Sequence, residues 1–184
     1  MSGSSLDGLD IAYCTFEVEK VADTQLLVHD WKILEAETIG FSESWQARLS
    51  QLPTQTALSF AKTHTYLGHY LGDMVNDFIN RYQIEPDFIA THGHTIFHQP
   101  EINLTTQIGN GANISAITNL PVISDFRTSD IALGGQGAPL VPIGDQLLFS
   151  EYDYCINLGG IANISFQENE QRLAFDICPV NIVL

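Results

Sequence analysis

Leu67, Leu71, Met74, Val75, Phe78 and Ile79 follow one another at steps of four, three, one, three and one. Those intervals lay six apolar side chains along one face of an α-helix. The pattern predicts a long amphipathic helix that must find a partner for that face, and it ends before Pro86, which cannot continue it. Around it the texture alternates. Residues 9–16 and 26–33 read as strands, helical periodicity starts after Ser42, and 87–91 reads as a short buried strand. A strand over 105–108, a helix over 111–118 and a strand over 121–124 follow. Strands interleaved with helices predict α/β architecture with some parallel pairing. From Ile131 to Pro139 the chain is too rich in glycine and proline for a regular element. Strands over 154–158, 161–166 and 173–177 close the sequence, with turns at 159–160 and 168–170.

Composition supports a packed chain. With 45% apolar residues against 16% charged, a disordered acidic tail is excluded. A folded chain of 184 residues is expected to bury about 70% of its unfolded surface, so it needs no disulfide or metal to stand, and its length suggests one domain or slightly more. Seven basic residues against 22 acidic ones give a net charge of −15, which phosphate backbones and anionic lipid repel. Neither nucleic acid nor a membrane is therefore an expected partner. No apolar run approaches the ~18 residues of a span, no signal-peptide pattern opens the chain, and a cytoplasmic location is expected. Cys14, Cys155 and Cys178 are odd in number and widely spaced, which predicts reduced, mostly buried thiols.

Four constellations carry candidate chemistry. The turns Ser2-Gly3-Ser4-Ser5-Leu6-Asp7-Gly8 and Asn157-Leu158-Gly159-Gly160-Ile161-Ala162-Asn163 are alike in kind, and their glycines leave backbone N–H groups open to an anion such as a phosphate. Two ordinary β-turns would look the same. His92 and His94 would share a face on a strand and could start a metal site, but Gly93 between them suggests a turn and hydrogen-bonding histidines lining a pocket. Asp125 and Asp130 are close enough in sequence to serve as an acid and base for glycoside chemistry, or simply to cap turns. Arg127 between them is one of few cations, with the planar fork that suits carboxylate or phosphate. Asp176, flanked by apolar residues and a proline turn, is expected to be partly desolvated and so a better base.

Taken in order along the chain, these residues resemble the anhydro-N-acetylmuramic acid kinases, a family of the sugar-kinase, actin and heat-shock-chaperone superfamily. The resemblance rests on Met1 to Asp10, His92-Gly93-His94-Thr95 with His98, Leu104 to Gly109, Ser124-Asp125-Phe126-Arg127 with Asp130, Gly134 to Pro142, and Asn157 to Asn163. It implies an actin-like (ribonuclease H-like) α/β ATPase lobe over residues 1–150 and the beginning of a second lobe over 151–184. It further implies that Gly3, Ser4, Ser5, Leu6, Asp7, Gly8, Leu9 and Asp10 form the ATP phosphate loop, with Gly159 and Gly160 as a second phosphate hairpin and Asp7 near Mg²⁺. Asp176 would be the general base, and Thr95, Asp125, Arg127, Asp130 and Asn181 would meet the sugar.

The family's reaction takes 1,6-anhydro-N-acetylmuramic acid, ATP and water to N-acetylmuramic acid 6-phosphate and ADP in the recycling of cell-wall sugars. Three departures from its usual pattern are visible. Gly-Thr-Ser is Gly3-Ser4-Ser5, His-Gly-Gln-Thr is His92-Gly93-His94-Thr95, and Asp-Thr-Gly-Pro-Gly-Asn is Asp176-Ile177-Cys178-Pro179-Val180-Asn181. The first keeps the hydroxyl, the second changes one pocket hydrogen-bonder, and the third loses two glycines after the base. The resemblance suggests the front half of a two-lobed kinase, homodimeric when complete and inactive as this piece alone. Two rival expectations are a glycoside hydrolase using Asp125 and Asp130, and a catalytically silent nucleotide-binding module.

Overall fold

The computed structural model describes residues 2, 6, 8–22, 25–169 and 171–180. Of the expected site residues, Gly3, Ser4, Ser5, Asp7 and Asn181 lie outside that set. The chain divides into two compact units: residues 1–12 with 35–137, and residues 13–34 with 138–184. The second unit takes in helix α5 (Val141–Leu148), which packs on strand β9 (Gln171–Pro179).

Two long paired strands, β1 (Gly8–Ala22) and β2 (Gln25–Gly40), contribute residues to both units. In the first unit, α1 (Glu43–Gln51) opens on Ser42, whose side chain accepts from the Trp45 N–H and so satisfies one of the orphan amides of a helix start. The predicted long helix is α2 (Ala57–Tyr82), and it buries Leu67, Leu71, Met74 and Phe78 as the periodicity required. Val75 and Ile79 are only half-buried.

What the apolar pattern did not reveal is the glycine pair on the same helix. Gly68 and Gly72 face α3 (Gly111–Thr118), and a Cβ on Gly68 would sit 2.6 Å from the Asn110 carbonyl oxygen. Mid-helix glycines cost about 0.5–1 kcal/mol each relative to alanine. Here they permit a backbone approach that no larger residue allows, and the Asn76 amide donates to the Ile117 carbonyl at 3.0 Å across the same seam.

Strand β3 (Ile89–Thr91) pairs parallel with β6 (Val122–Ser124), with Thr91 opposite Ser124. It is less buried than expected: Ala90 is exposed and Ile89 half-buried. Strand β4 (His94–Gln99), which the sequence did not suggest, pairs antiparallel with β5 (Leu104–Ile108) through a bulge at Ile96. The core of this unit joins Leu9, Phe41, Leu49, Leu52, Leu67, Leu71, Met74, Ile108 and Ile114. A short helix, α4 (Thr128–Ala132), precedes the glycine loop.

In the second unit, β7 (Tyr154–Leu158), β8 (Ile161–Glu168) and β9 form one antiparallel sheet in the order β7-β8-β9. Ser165 on β8 is buried and donates to the Asp145 carboxylate of α5 at 2.5 Å, while Arg172 of β9 donates to the Ser165 hydroxyl at 2.9 Å and to Cys155 Sγ at 2.9 Å. The three cysteines are free thiols as expected, but Cys14 and Cys155 are half-buried and Cys178 is exposed, because each sits on a strand with an open side.

Candidate functional site

The parallel pair β3–β6 fixes where a site can form. In open α/β sheets, ligands gather beyond the carboxyl ends of the strands, where helix N-termini present unsatisfied amides. A polar pocket of about 350 Å³ opens at that place. Thr91 at the end of β3 lines it with His92 and Gly93, joined by Ser124 at the end of β6, Asp125, Gln107 of β5, and the Gly109-Asn110-Gly111 turn into α3. The backbone there is set by glycines. Gly93 has φ +70° and Gly109 has φ +104°, a region that disfavours any side chain, and a Cβ on Gly93 would lie 2.3 Å from the Ile108 carbonyl oxygen. Asn110 caps α3 by accepting the Ala112 N–H at 2.8 Å.

The expected histidines are divided between two jobs. His92 lies before β4, not on it, so His92 and His94 do not form a same-strand pair. His92 lines the pocket, donates from Nδ1 to the Gly93 carbonyl at 3.1 Å and accepts Arg127 Nε–H at Nε2, 2.9 Å away. Burial, and then the Arg127 charge, hold it below its ordinary pKa, so the neutral ring fits these contacts. Among the described residues no cluster of three His, Cys, Asp or Glu side chains suits a metal ion.

His94 is 4% exposed, and its Nδ1 shares a hydrogen bond with the Ser2 hydroxyl at 2.9 Å. Ser2 also bridges Leu9 of β1 in antiparallel fashion and His94 in parallel, so this bond ties the chain's start to β4. Burial, with a smaller repulsion from His92, lowers the His94 pKa from 6.5 to about 4. The unfolded chain therefore binds a proton that the folded one refuses. Stability from this group is complete above pH 6.5 and is lost as pH falls towards 4. We expect a loss of about 2–3 kcal/mol across that window. Denaturant unfolding at pH 7 and pH 4 measures it, and His94→Gln should flatten that part of the pH dependence.

Arg127 and Asp130 converge on the glycine loop. Arg127 Nη1 donates to the Gly137 carbonyl at 2.5 Å, and the Asp130 carboxylate accepts the Gly137 N–H at 2.6 Å. Gly135 must be glycine for this to close, since its Cβ would fall 2.3 Å from the Asp130 carboxylate. Asp125, one residue past β6 with φ +64°, accepts from the Thr128 hydroxyl at 2.5 Å and the Thr128 N–H at 3.3 Å. Thr95 is half-buried opposite Gln107, whose amide donates to the Thr95 hydroxyl at 3.4 Å and to Thr105 at 2.8 Å. The Gln107 Oε1 atom is buried with no partner. The pocket side chains that sequence reasoning missed include His64, Thr91, Gln107, Asn110, Ser124 and Thr128. Only Asn110 carried a signal, an N-cap residue between glycines at a helix start.

Of the expected phosphate loop, Leu6 has φ +59°, Gly8 packs so closely on β2 that its Cβ would meet the Ile39 carbonyl at 2.4 Å, and Leu9 is buried in the core. Asp10 is exposed and accepts the Thr38 hydroxyl at 2.6 Å. In the second unit, Gly159 and Gly160 form the β7–β8 turn, and the Gly160 carbonyl accepts the Val180 N–H at 2.8 Å. Asp176 sits inside β9 opposite Asn163, beside a bulge that leaves Ile177 unpaired. Its side chain is exposed, which corrects the expected desolvation: the flanking Phe175 and Ile177 are themselves more than half exposed and do not cover it.

Parallel strands carrying a polar pocket at their carboxyl ends define an α/β chain with a candidate ligand site at the usual place for such folds. More narrowly, residues 1–184 match the anhydro-N-acetylmuramic acid kinase family, and the chain belongs to it. It is 37% identical over 205 aligned residues to the anhydro-N-acetylmuramic acid kinase of Pseudoalteromonas translucida (strain TAC 125). It is 35% identical over 197 residues to the anhydro-N-acetylmuramic acid kinases of Vibrio vulnificus strains YJ016 and CMCP6. Each alignment covers all of this chain and 50% of the relative, so the chain spans about half the length of the curated relatives it matches.

Proposed function

We propose that this chain is the sugar-pocket and phosphate-loop portion of an ATP-dependent kinase that opens the 1,6-anhydro ring of anhydro-N-acetylmuramic acid and phosphorylates O6. The observation that carries the reading is the family match over the whole chain, joined to a polar pocket at the carboxyl ends of parallel strands, where α/β folds hold ligands. In this reading the lobe is actin-like, and the protein is cytoplasmic, homodimeric when complete, and works in cell-wall recycling. Thr95, Asp125, Arg127, Asp130 and Asn181 serve the sugar.

Asp176 takes a proton from water as the water oxygen bonds to the anomeric carbon. The bond from that carbon to O6 breaks, O6 attacks the γ-phosphorus, and ADP leaves. Strain in the bicyclic acetal favours opening, and phosphoryl transfer mainly needs positioning and charge neutralisation. ATP would rest on the glycine loop from Gly3 to Asp10 and on Gly159 and Gly160. Mg²⁺ in kinases is usually held by one or two carboxylates together with the nucleotide phosphates, and it would supply charge neutralisation there. Asp7 is the residue that would hold it. The test is phosphate transfer from ATP to the anhydro sugar by a family-length polypeptide carrying this sequence. A 6-phosphorylated, ring-opened product supports the reading, and sugar cleavage without ATP would support the hydrolase instead.

A further inference from the structure

Arg127 is a half-buried guanidinium in a chain with 22 acidic residues, yet among the described residues no carboxylate pairs with it. Burial lowers its pKa, a sign that the charge is held at some cost. The two carboxylates nearest in sequence are engaged elsewhere: Asp125 accepts from the Thr128 hydroxyl and N–H, and Asp130 accepts the Gly137 N–H. Two neutral acceptors fix the guanidinium: His92 Nε2 takes Nε–H at 2.9 Å, and the Gly137 carbonyl takes Nη1–H at 2.5 Å. His92 is itself fixed, because its Nδ1–H is spent on the Gly93 carbonyl and Gly93 is locked by its positive φ. A neutral acceptor directs the guanidinium plane without cancelling its charge, and three N–H donors remain. A carboxylate in the place of His92 would direct it equally well but would neutralise it.

We propose that His92 is a positioning residue that holds Arg127 oriented and uncompensated, as the receptor for the carboxylate of the sugar. The inference rests on the reading of the pocket as a sugar site, and adds to it which side chain sets preference for the carboxylated sugar. His92 does not touch the reacting atoms. Its effect is on selectivity between sugars that differ by the carboxylate.

The experiment measures binding of two probes to this chain by NMR titration at pH 7.5: N-acetylmuramic acid, and N-acetylglucosamine, which lacks the lactyl carboxylate. The wild-type chain should prefer the carboxylated sugar. His92→Gln, which keeps a neutral acceptor, should keep the preference. His92→Leu and His92→Glu should each lower it by about tenfold or more, read as the ratio of the two sugars' affinities for the same variant. A through-bond coupling between Arg127 Nε and His92 Nε2 should be present in the free wild-type chain, a readout that needs no ligand and that a merely packed histidine would not give. Equal binding of both sugars by the wild type, or an undiminished preference in His92→Glu, overturns the inference and leaves the sugar site standing. Binding of neither sugar contradicts the sugar-site reading and the inference with it, and a missing coupling contradicts the inference alone.

Discussion

Asp176→Asn in a polypeptide of the family's full length should lower kinase turnover by ~10²–10⁴-fold, with ATP affinity unchanged. Asparagine keeps the size and hydrogen-bonding reach of aspartate but cannot take a proton from water. The position favours a clean result. Asp176 is exposed on β9, so the exchange disturbs no packing, and its effect on stability should stay within about 0.5 kcal/mol. The bulge at Ile177 also marks the place, since an extra residue in a strand re-aims its neighbours and such bulges gather beside active sites. Steady-state kinetics with a parallel ATP titration reads both halves of the expectation. Full turnover in the variant would remove Asp176 from the role of base.

Leu67→Ala should destabilise the first unit by about 2–5 kcal/mol, because removing a buried leucine forfeits both transfer energy and the contacts around the cavity left behind. Leu67 is 0% exposed at the centre of the core formed with Leu71, Met74, Ile108 and Ile114. It also underlies the pocket, since the Cβ direction of Gly109 points at Leu71 and Leu67. Loss of stability in denaturant should therefore come with weaker sugar binding. A change below about 1 kcal/mol would mean that the core closes around the gap, and that α2 does not carry the pocket floor.

The sequence made the long helix, the α3 segment and the three-stranded β7–β9 sheet legible because their apolar periods are undisturbed. Strand β4 was hidden because its residues, His-Thr-Ile-Phe-His-Gln, mix polar and apolar side chains around a bulge, and Gly93 before it reads as a turn. Helix α5 was hidden by Pro142 and Gly144, although a proline in the first helical turn is compatible with a helix start. Burial was least legible of all. Tyr154, Ile156, Leu158, Phe175 and Ile177 are large apolar strand residues, yet each is more than half exposed, since composition counts apolar side chains but not what covers them.

In the site, Arg127, Asp125 and Asp130 stood out because charge is scarce or spacing suggestive. Their partners did not. The bonds from Arg127 to His92 and from Asp130 to Gly137 join residues that only the fold brings together, across 35 and 7 positions respectively. The Gln107 amide and the close approach of α2 to the α3 cap are likewise contacts without a local signature.

The claim that the pocket at the ends of β3 and β6 is the sugar site is tested most directly by titrating ¹⁵N-labelled chain with 1,6-anhydro-N-acetylmuramic acid. Saturable shifts are expected at Thr91 to Gly93, at Gln107 to Ala112, and at Ser124, Asp125 and Thr128, which line the pocket. Saturable shifts confined to other residues, or no saturable shift at millimolar sugar, would contradict it.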